Sequence, residues 1–193
     1  MTADQVHDSG DVAFIDILRA VADARGDARC ISGPGSTSST WAQFIERVER
    51  ASAALNALGL GCHRERNELA HHESGQDHLA LLMHNSPQCL ELMCAAFASR
   101  VAPVNVNHRY TADELVDTLN YAHATAVAVH SDYADVLATA LPRLPHVKVV
   151  IEVTDSGDPV ISTSHDYETL LNAHPPELEP RQASGDDLYL VLT

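Results

Sequence analysis

Apolar and polar positions follow two rhythms along this chain, and the change from one to the other marks its elements. Residues 11–24, DVAFIDILRAVADA, place Phe14, Ile17, Leu18 and Val21 on one face of a helix. A Ser-Gly-Pro-Gly-Ser run at 32–36 predicts a tight turn between two short extended pieces. Thr40-Trp41-Ala42-Gln43 fits a capping box, in which the Thr hydroxyl and the Gln amide satisfy free backbone N–H groups. Trp41, Phe44, Val48, Leu55 and Leu58 then line a helix face that Gly59 and Gly61 bring to a stop. Residues 62–77, CHRERNELAHHESGQD, are polar and aperiodic, and predict a surface loop longer than most connections.

From there strands and helices alternate. His78–His84 reads as a strand, with Ser86-Pro87 as cap and first residue of a helix that places Leu90, Met93, Cys94 and Phe97 on one face. Val101–Val106 is a second strand, and Thr111-Ala112-Asp113-Glu114 opens a helix with Leu115 and Leu119 inward. Ala124–His130 is a third strand, Tyr133–Leu141 a helix and Val147–Val153 a fourth strand. A turn at 154–159, a short helix Tyr167–Leu171 and a Pro-rich polar linker at 174–187 lead to a final apolar run, LYLVLT. Short strands alternating with helices predict an α/β fold, a parallel-type sheet with flanking helices, across one domain spanning 1–193.

Composition narrows the function classes. Twenty-seven acidic residues against 12 Lys plus Arg leave a net charge of −15, which argues against general nucleic-acid binding or adhesion to an anionic membrane. The N-terminal MTADQVHDSGD lacks the basic and apolar regions of a signal peptide. No apolar stretch approaches the ~18 residues of a membrane span. A cytoplasmic location is the expectation. The cysteines at 30, 62, 89 and 94 form no CxxC pair, and Cys89 and Cys94 fit an apolar helix face as small hydrophobes.

Twelve histidines raise the question of a metal. His63, His71, His72, His78 and His84 crowd one region together with Glu65, Glu68, Glu73 and Asp77. His71 and His72 are adjacent, so their side chains diverge on a helix or strand, and no HExxH occurs. A solvated polar loop is the expectation, with no metal site. Asp113-Glu114 fits the first turn of a helix, where negative charge opposes the dipole, and Asp186-Asp187 precedes the last run. GxSxG, GxxxxGK[ST] and GxGxxG are all missing, so these residues alone show no catalytic residue.

One segment is more specific. Asn85-Ser86-Pro87, the helix through Ala95-Ala96, and the run Val101-Ala102-Pro103-Val104-Asn105-Val106-Asn107-His108-Arg109-Tyr110-Thr111-Ala112-Asp113-Glu114-Leu115 closely resemble the N-terminal region of adenylate-forming acyl-CoA synthetases. The loop His72–His78 and the run Arg100–Arg109 resemble the actinobacterial fatty-acid and steroid side-chain CoA ligases most. Ser99-Arg100-Val101-Ala102 departs from the family's usual Arg-Ala-Gly-Ala, and His108 stands where close relatives often carry an aromatic residue.

The resemblance implies an incomplete N-terminal part of the large domain of an adenylate-forming enzyme. It implies ATP, Mg and CoA as cofactors of the full-length family, a fatty-acid or steroid carboxylate as substrate, and acyl-CoA, AMP and pyrophosphate as products. In that family a strand like LYLVLT runs into a Thr/Ser/Gly-rich loop ending in Lys that wraps the ATP phosphates, and Thr193 matches the position where the loop begins. Thr193 is therefore the one cofactor-binding residue expected here. The adenine motif, the ribose-binding acid and the catalytic Lys are expected downstream, which makes the 193 residues silent alone and binding no cofactor. Asn105, Asn107 and Arg109 are expected to hold a strand-to-helix corner. The alternative is a non-catalytic interaction module that self-associates or pairs with a separately encoded remainder.

Overall fold

The computed structural model describes residues 12–32, 38–71, 73–155, 158–176 and 184–191. Helix α1 (Phe14–Arg25) and a small antiparallel pair, β1 (Arg29–Ile31) with β2 (Ser39–Thr40), precede helix α2 (Trp41–Ala57). Residues 33–37 of the expected turn lie outside the described residues. The Thr40 cap forms as expected: its hydroxyl accepts from Gln43 N–H at 3.3 Å, and Gln43 Oε1 accepts from Thr40 N–H at 3.0 Å. Gly59 ends α2 with φ +82°, a conformation that costs glycine little.

The expected alternation then appears as β3 (His78–Leu82), α3 (Pro87–Ala98), β4 (Ala102–Asn105), α4 (Ala112–Tyr121) and β5 (Ala126–His130). It continues through α5 (Ala134–Ala140), β6 (Val149–Val153), a two-residue strand β7 (His165–Asp166) and α6 (Tyr167–Ala173). The sheet order is β4-β3-β5-β6-β7, and every neighbouring pair is parallel. Both faces are covered. Leu79, Leu81, Ala126, Ala128 and Ile151 pack into the layer holding α1, α2, α3 and α6, whereas Ala80, Leu82, Val127, Val129 and Val150 pack with α4 and α5. That two-sided burial explains why the strands read as unbroken apolar runs. The crossovers to β4 and back to β5 run in opposite directions and place α3 and α4 on opposite faces, as one handedness requires.

Two helix faces differ from expectation. In α1, Ile15 and Leu18 are the buried residues, while Phe14 and Ile17 are 47% and 51% exposed. The segment carries two overlapping apolar stripes, Phe14/Ile17/Val21 and Ile15/Leu18/Ala22, and docking against α2 selects the second. In α3, Leu92, Cys94, Ala95 and Ala96 face inward, with Glu91 buried among them and Leu90 turned out. This helix lies between β3 and β4 on one side and α1 and α2 on the other, so one stripe could not describe it.

The 62–77 segment is more ordered than its polar composition suggests. Cys62 and Gln76 form an antiparallel bridge that closes it, and His63 N–H donates to Gly75 O at 2.7 Å. A Cβ on Gly75 would stand 2.0 Å from Arg64 O, so only glycine fits this closure. The final run also differs from a buried strand. Only its Leu190 forms a bridge among the described residues, parallel to Val104 at the outer edge of β4, while Tyr189 and Val191 are 43% and 65% exposed. It is an edge segment, covered on one side.

Candidate functional site

The chain steps from β3 out to β4 and then back past β3 to β5, so the sheet's direction of winding reverses between β3 and β5. In open parallel sheets the loops at such a reversal separate to opposite faces and leave a crevice at the strands' carboxyl ends, where ligands bind. Here the strand ends at the reversal carry imidazoles. His84 follows β3, His130 ends β5, His108 follows β4, and Tyr133 closes the one-turn 3₁₀ segment Ser131–Tyr133.

His84 and His130 have ring centroids 4.1 Å apart, and the Tyr133 ring stands 6.3 Å from His84 and 5.2 Å from His108. His130 is only 2% exposed and lies between two acids. Its Nδ1 is 3.4 Å from Asp132 Oδ2, and its Nε2 is 3.5 Å from Asp155 Oδ1, two residues past β6. Asp132 N–H donates to His130 Nδ1 at 3.3 Å, which places the lone pair on Nδ1 and the ring proton on Nε2, facing Asp155. Three strand ends thus supply one buried base, one half-buried base and two carboxylates.

A second constellation holds the last run against β4. Arg100 has φ +58°, unusual for a residue with a side chain, and its guanidinium reaches two acids. It donates to Glu65 at 2.7 and 2.9 Å and to Asp187 at 3.1 to 3.2 Å. The hydrogen bond to Glu65, joined by those to Asp187, keeps Arg100 more firmly charged against the opposing effect of burial. Glu65 is held below the usual carboxylate range by the same bond. Asn105 Nδ2 donates to Tyr189 OH at 2.6 Å, Leu190 N–H to Pro103 O at 3.1 Å, and Leu188 N–H to Gln76 Oε1 at 2.8 Å. The run is therefore fixed in register with β4.

The expected site residues fare unequally. Thr193 lies outside the described residues. Asn107 holds the corner after β4, its Oδ1 accepting from Arg109 N–H at 3.1 Å, but Asn105 instead reaches across to Tyr189, and the Arg109 side chain is exposed. The histidines of the polar segment separate. His78 is buried, hydrogen-bonded to Ala122 O and Ser74 Oγ, and His63 pairs with Asp77 at 2.6 Å. His72 lies outside the described residues. His84 leaves that group and joins His130, some 46 positions on, a proximity that only the parallel pairing of β3 and β5 creates.

Two buried carboxylates had no signal in the pattern. Glu91 is 3% exposed and accepts from Arg47 Nε at 2.8 Å and Tyr167 OH at 2.9 Å. Glu152 is fully buried in β6 and accepts from Val160 N–H, Ile161 N–H and Ser164 Oγ at 2.8, 3.1 and 3.1 Å. Both tie elements together. ATP phosphates would need an N–H-rich turn and a cation at the carboxyl ends. Lys148 is the one lysine in the sequence and precedes β6, at the opposite end of the sheet. Lys148 is therefore out of reach of phosphates at the carboxyl ends, where the exposed Arg109 follows β4.

Comparison with known proteins agrees with this architecture. The chain is 41% identical to the medium-chain acyl-CoA ligase Mig of Mycobacterium avium over 178 residues, covering 92% of this chain and 32% of that protein. It is 31% identical to the 3-oxocholest-4-en-26-oate–CoA ligase of Rhodococcus rhodochrous, covering 77% of this chain and 28% of that protein. Among solved structures, the anthranilate CoA ligase AuaEII in complex with anthranoyl-AMP superposes with a TM-score of 0.79 at 16% identity, over 93% of this chain and 32% of that one. The Mycobacterium tuberculosis fatty acyl CoA synthetase gives 0.76 at 21% identity, over 94% and 32%. The chain thus spans about a third of the length of these relatives. The family model of AMP-binding enzymes matches residues 18–193, and the chain belongs to that family.

Proposed function

We propose that these residues form the N-terminal part of an ATP-dependent acyl-CoA ligase of the fatty-acid or steroid side-chain type. Such an enzyme joins a carboxylate to CoA and releases AMP and pyrophosphate, using ATP, Mg and CoA. The observation that carries the reading is the 41% identity to a medium-chain acyl-CoA ligase, over 92% of this chain and 32% of that ligase's length. The Rhodococcus relative, named for a steroid acid, supports the steroid alternative for the substrate.

In this reading the 193 residues supply scaffold, not phosphate chemistry. The Arg100 clamp and the Asn105–Tyr189 bond set the direction of the last run, and Thr193 opens the phosphate-contacting loop. With Lys148 as the only lysine, placed at the wrong end of the sheet, transition-state charge at the phosphates has no ammonium partner in this segment. The purified 193-residue chain should show no carboxylate-dependent exchange of pyrophosphate into ATP with medium-chain or steroid acids. Robust exchange would overturn its silence.

A second reading, a non-catalytic module that pairs with a separately encoded remainder, draws on one feature. Phe14, Phe97 and Tyr189 form a row with centroids 5.3 and 6.1 Å apart, flanked by the exposed Ile17 and Val191. Such a row beside an open sheet edge suits association with another chain. A sharp monomeric peak in size-exclusion chromatography at high concentration would count against it.

A further inference from the structure

The carboxyl ends of β3 and β5 bring together side chains whose chemistry the scaffold role leaves unused. We propose that His84, His130 and Asp132 bind one divalent transition-metal ion of the zinc class. One ligand atom from each lies within 4.8 Å of the other two. Two ligands on a tetrahedral zinc stand roughly 3.3 Å apart, given zinc–nitrogen and zinc–oxygen bonds of about 2.0–2.1 Å. The His130 Nδ1 to Asp132 Oδ2 distance is already 3.4 Å, so one edge of the tetrahedron is formed before any ion arrives.

The tautomer and the surroundings point the same way. The lone pair of His130 is on Nδ1, the atom facing Asp132, because Asp132 N–H donates to it. A metal would take that lone pair in place of the N–H. The opposite nitrogen, Nε2, carries its proton toward Asp155 Oδ1 at 3.5 Å. A carboxylate behind the far nitrogen of a ligating histidine orients the ring and raises its basicity, a recurring partner arrangement in metal sites. His130 is buried and fixed, His84 is half-buried against it, and Asp132 is exposed enough to swing the last distance.

Two imidazoles and one carboxylate make a three-ligand set that suits zinc and leaves a fourth position open. That position can hold water or an anionic oxygen of a ligand, and the Tyr133 ring stands 6.3 and 6.4 Å from the two imidazoles. The proposal uses only this segment's own residues, and its readout needs no substrate. Its failure would leave the ligase reading intact, and the reverse also holds.

The test is calorimetric titration of the tag-free 193-residue chain with zinc chloride, with cobalt(II) absorption as a second readout of geometry. The expected result is one zinc per chain and a tetrahedral cobalt spectrum. Asp132→Asn and His84→Gln should each weaken binding at least tenfold, while His71→Gln, in the polar segment, leaves it unchanged. Circular dichroism identifies any variant that fails to fold, and Asp132→Asn, at an exposed position, then decides alone. Absence of stoichiometric zinc would overturn the proposal, as would zinc that survives Asp132→Asn or is lost with His71→Gln.

Discussion

Glu91 shows how a single side chain can fasten three helices. It sits on α3, almost wholly buried, and accepts from Arg47 of α2 and Tyr167 of α6. Arg47 goes on to grip Glu168 at 2.6 and 3.0 Å. Burial works to lower the Arg47 pKa, but its bonds to Glu168 and Glu91 outweigh it and the guanidinium stays charged. Burial, with Glu91 beside it, pushes the Tyr167 hydroxyl well above its ordinary value. Glu91→Ala should cost about 2 kcal/mol in urea unfolding, because the buried Tyr167 hydroxyl and Arg47 Nε–H lose their acceptor while Glu168 still pairs the guanidinium. Tyr167→Phe, which removes one donor and leaves the ion pair, should cost about 1 kcal/mol. None of this was legible in PQCLELMCAAFA, where a glutamate reads as the solvent side of a helix. Cys94 is the converse case. Its reading as a small hydrophobe holds, and burial raises its thiol to about 12, so it should resist a thiol reagent at neutral pH until the chain unfolds.

At the scale of elements, the polar caps and the apolar runs carried different amounts of information. The boxes at Thr40 and Thr111 were legible because they are local: the side chain and the N–H it serves lie three residues apart. Thr111→Ala should cost about 1 kcal/mol and loosen the start of α4, measurable by urea unfolding. The partner acid adds a pH dependence. Bonds from Thr111 N–H and its hydroxyl hold Glu114 below the usual carboxylate range. A group with a depressed folded pKa stabilises above its unfolded value and loses that contribution as pH falls through the folded one. The parent's advantage over Glu114→Gln should thus be full at neutral pH and vanish in acid. The faces of α1 and α3 were not legible: in α1 two apolar stripes compete and docking against α2 chooses, and α3 is covered on two sides. The ordered closure of 62–77 was hidden too, since it depends on Gly75 meeting Arg64 across the segment.

For the whole molecule, alternating strands and helices were enough to foresee a parallel sheet with flanking helices, and the resemblance carried by residues 85–115 was enough to foresee the family. The crevice was not foreseeable. His84 and His130 belong to different strands, and nothing in their spacing announces the winding reversal that joins them. The last run was half legible: its apolar residues signalled a strand, but its edge position and the Arg100 clamp are tertiary. Arg100→Ala should speed hydrogen exchange at the Leu188 and Leu190 amides while leaving Ala128 in β5 protected. The central proposal is that these residues serve as the N-terminal third of an acyl-CoA ligase. The most direct measurement replaces the matching third of the Mycobacterium avium ligase with these 193 residues and follows acyl-CoA formation from medium-chain acids. The account predicts a folded chimera that forms acyl-CoA, with Arg100→Ala lowering its rate. A chimera that folds yet forms no acyl-adenylate or acyl-CoA from any fatty or steroid acid would contradict it.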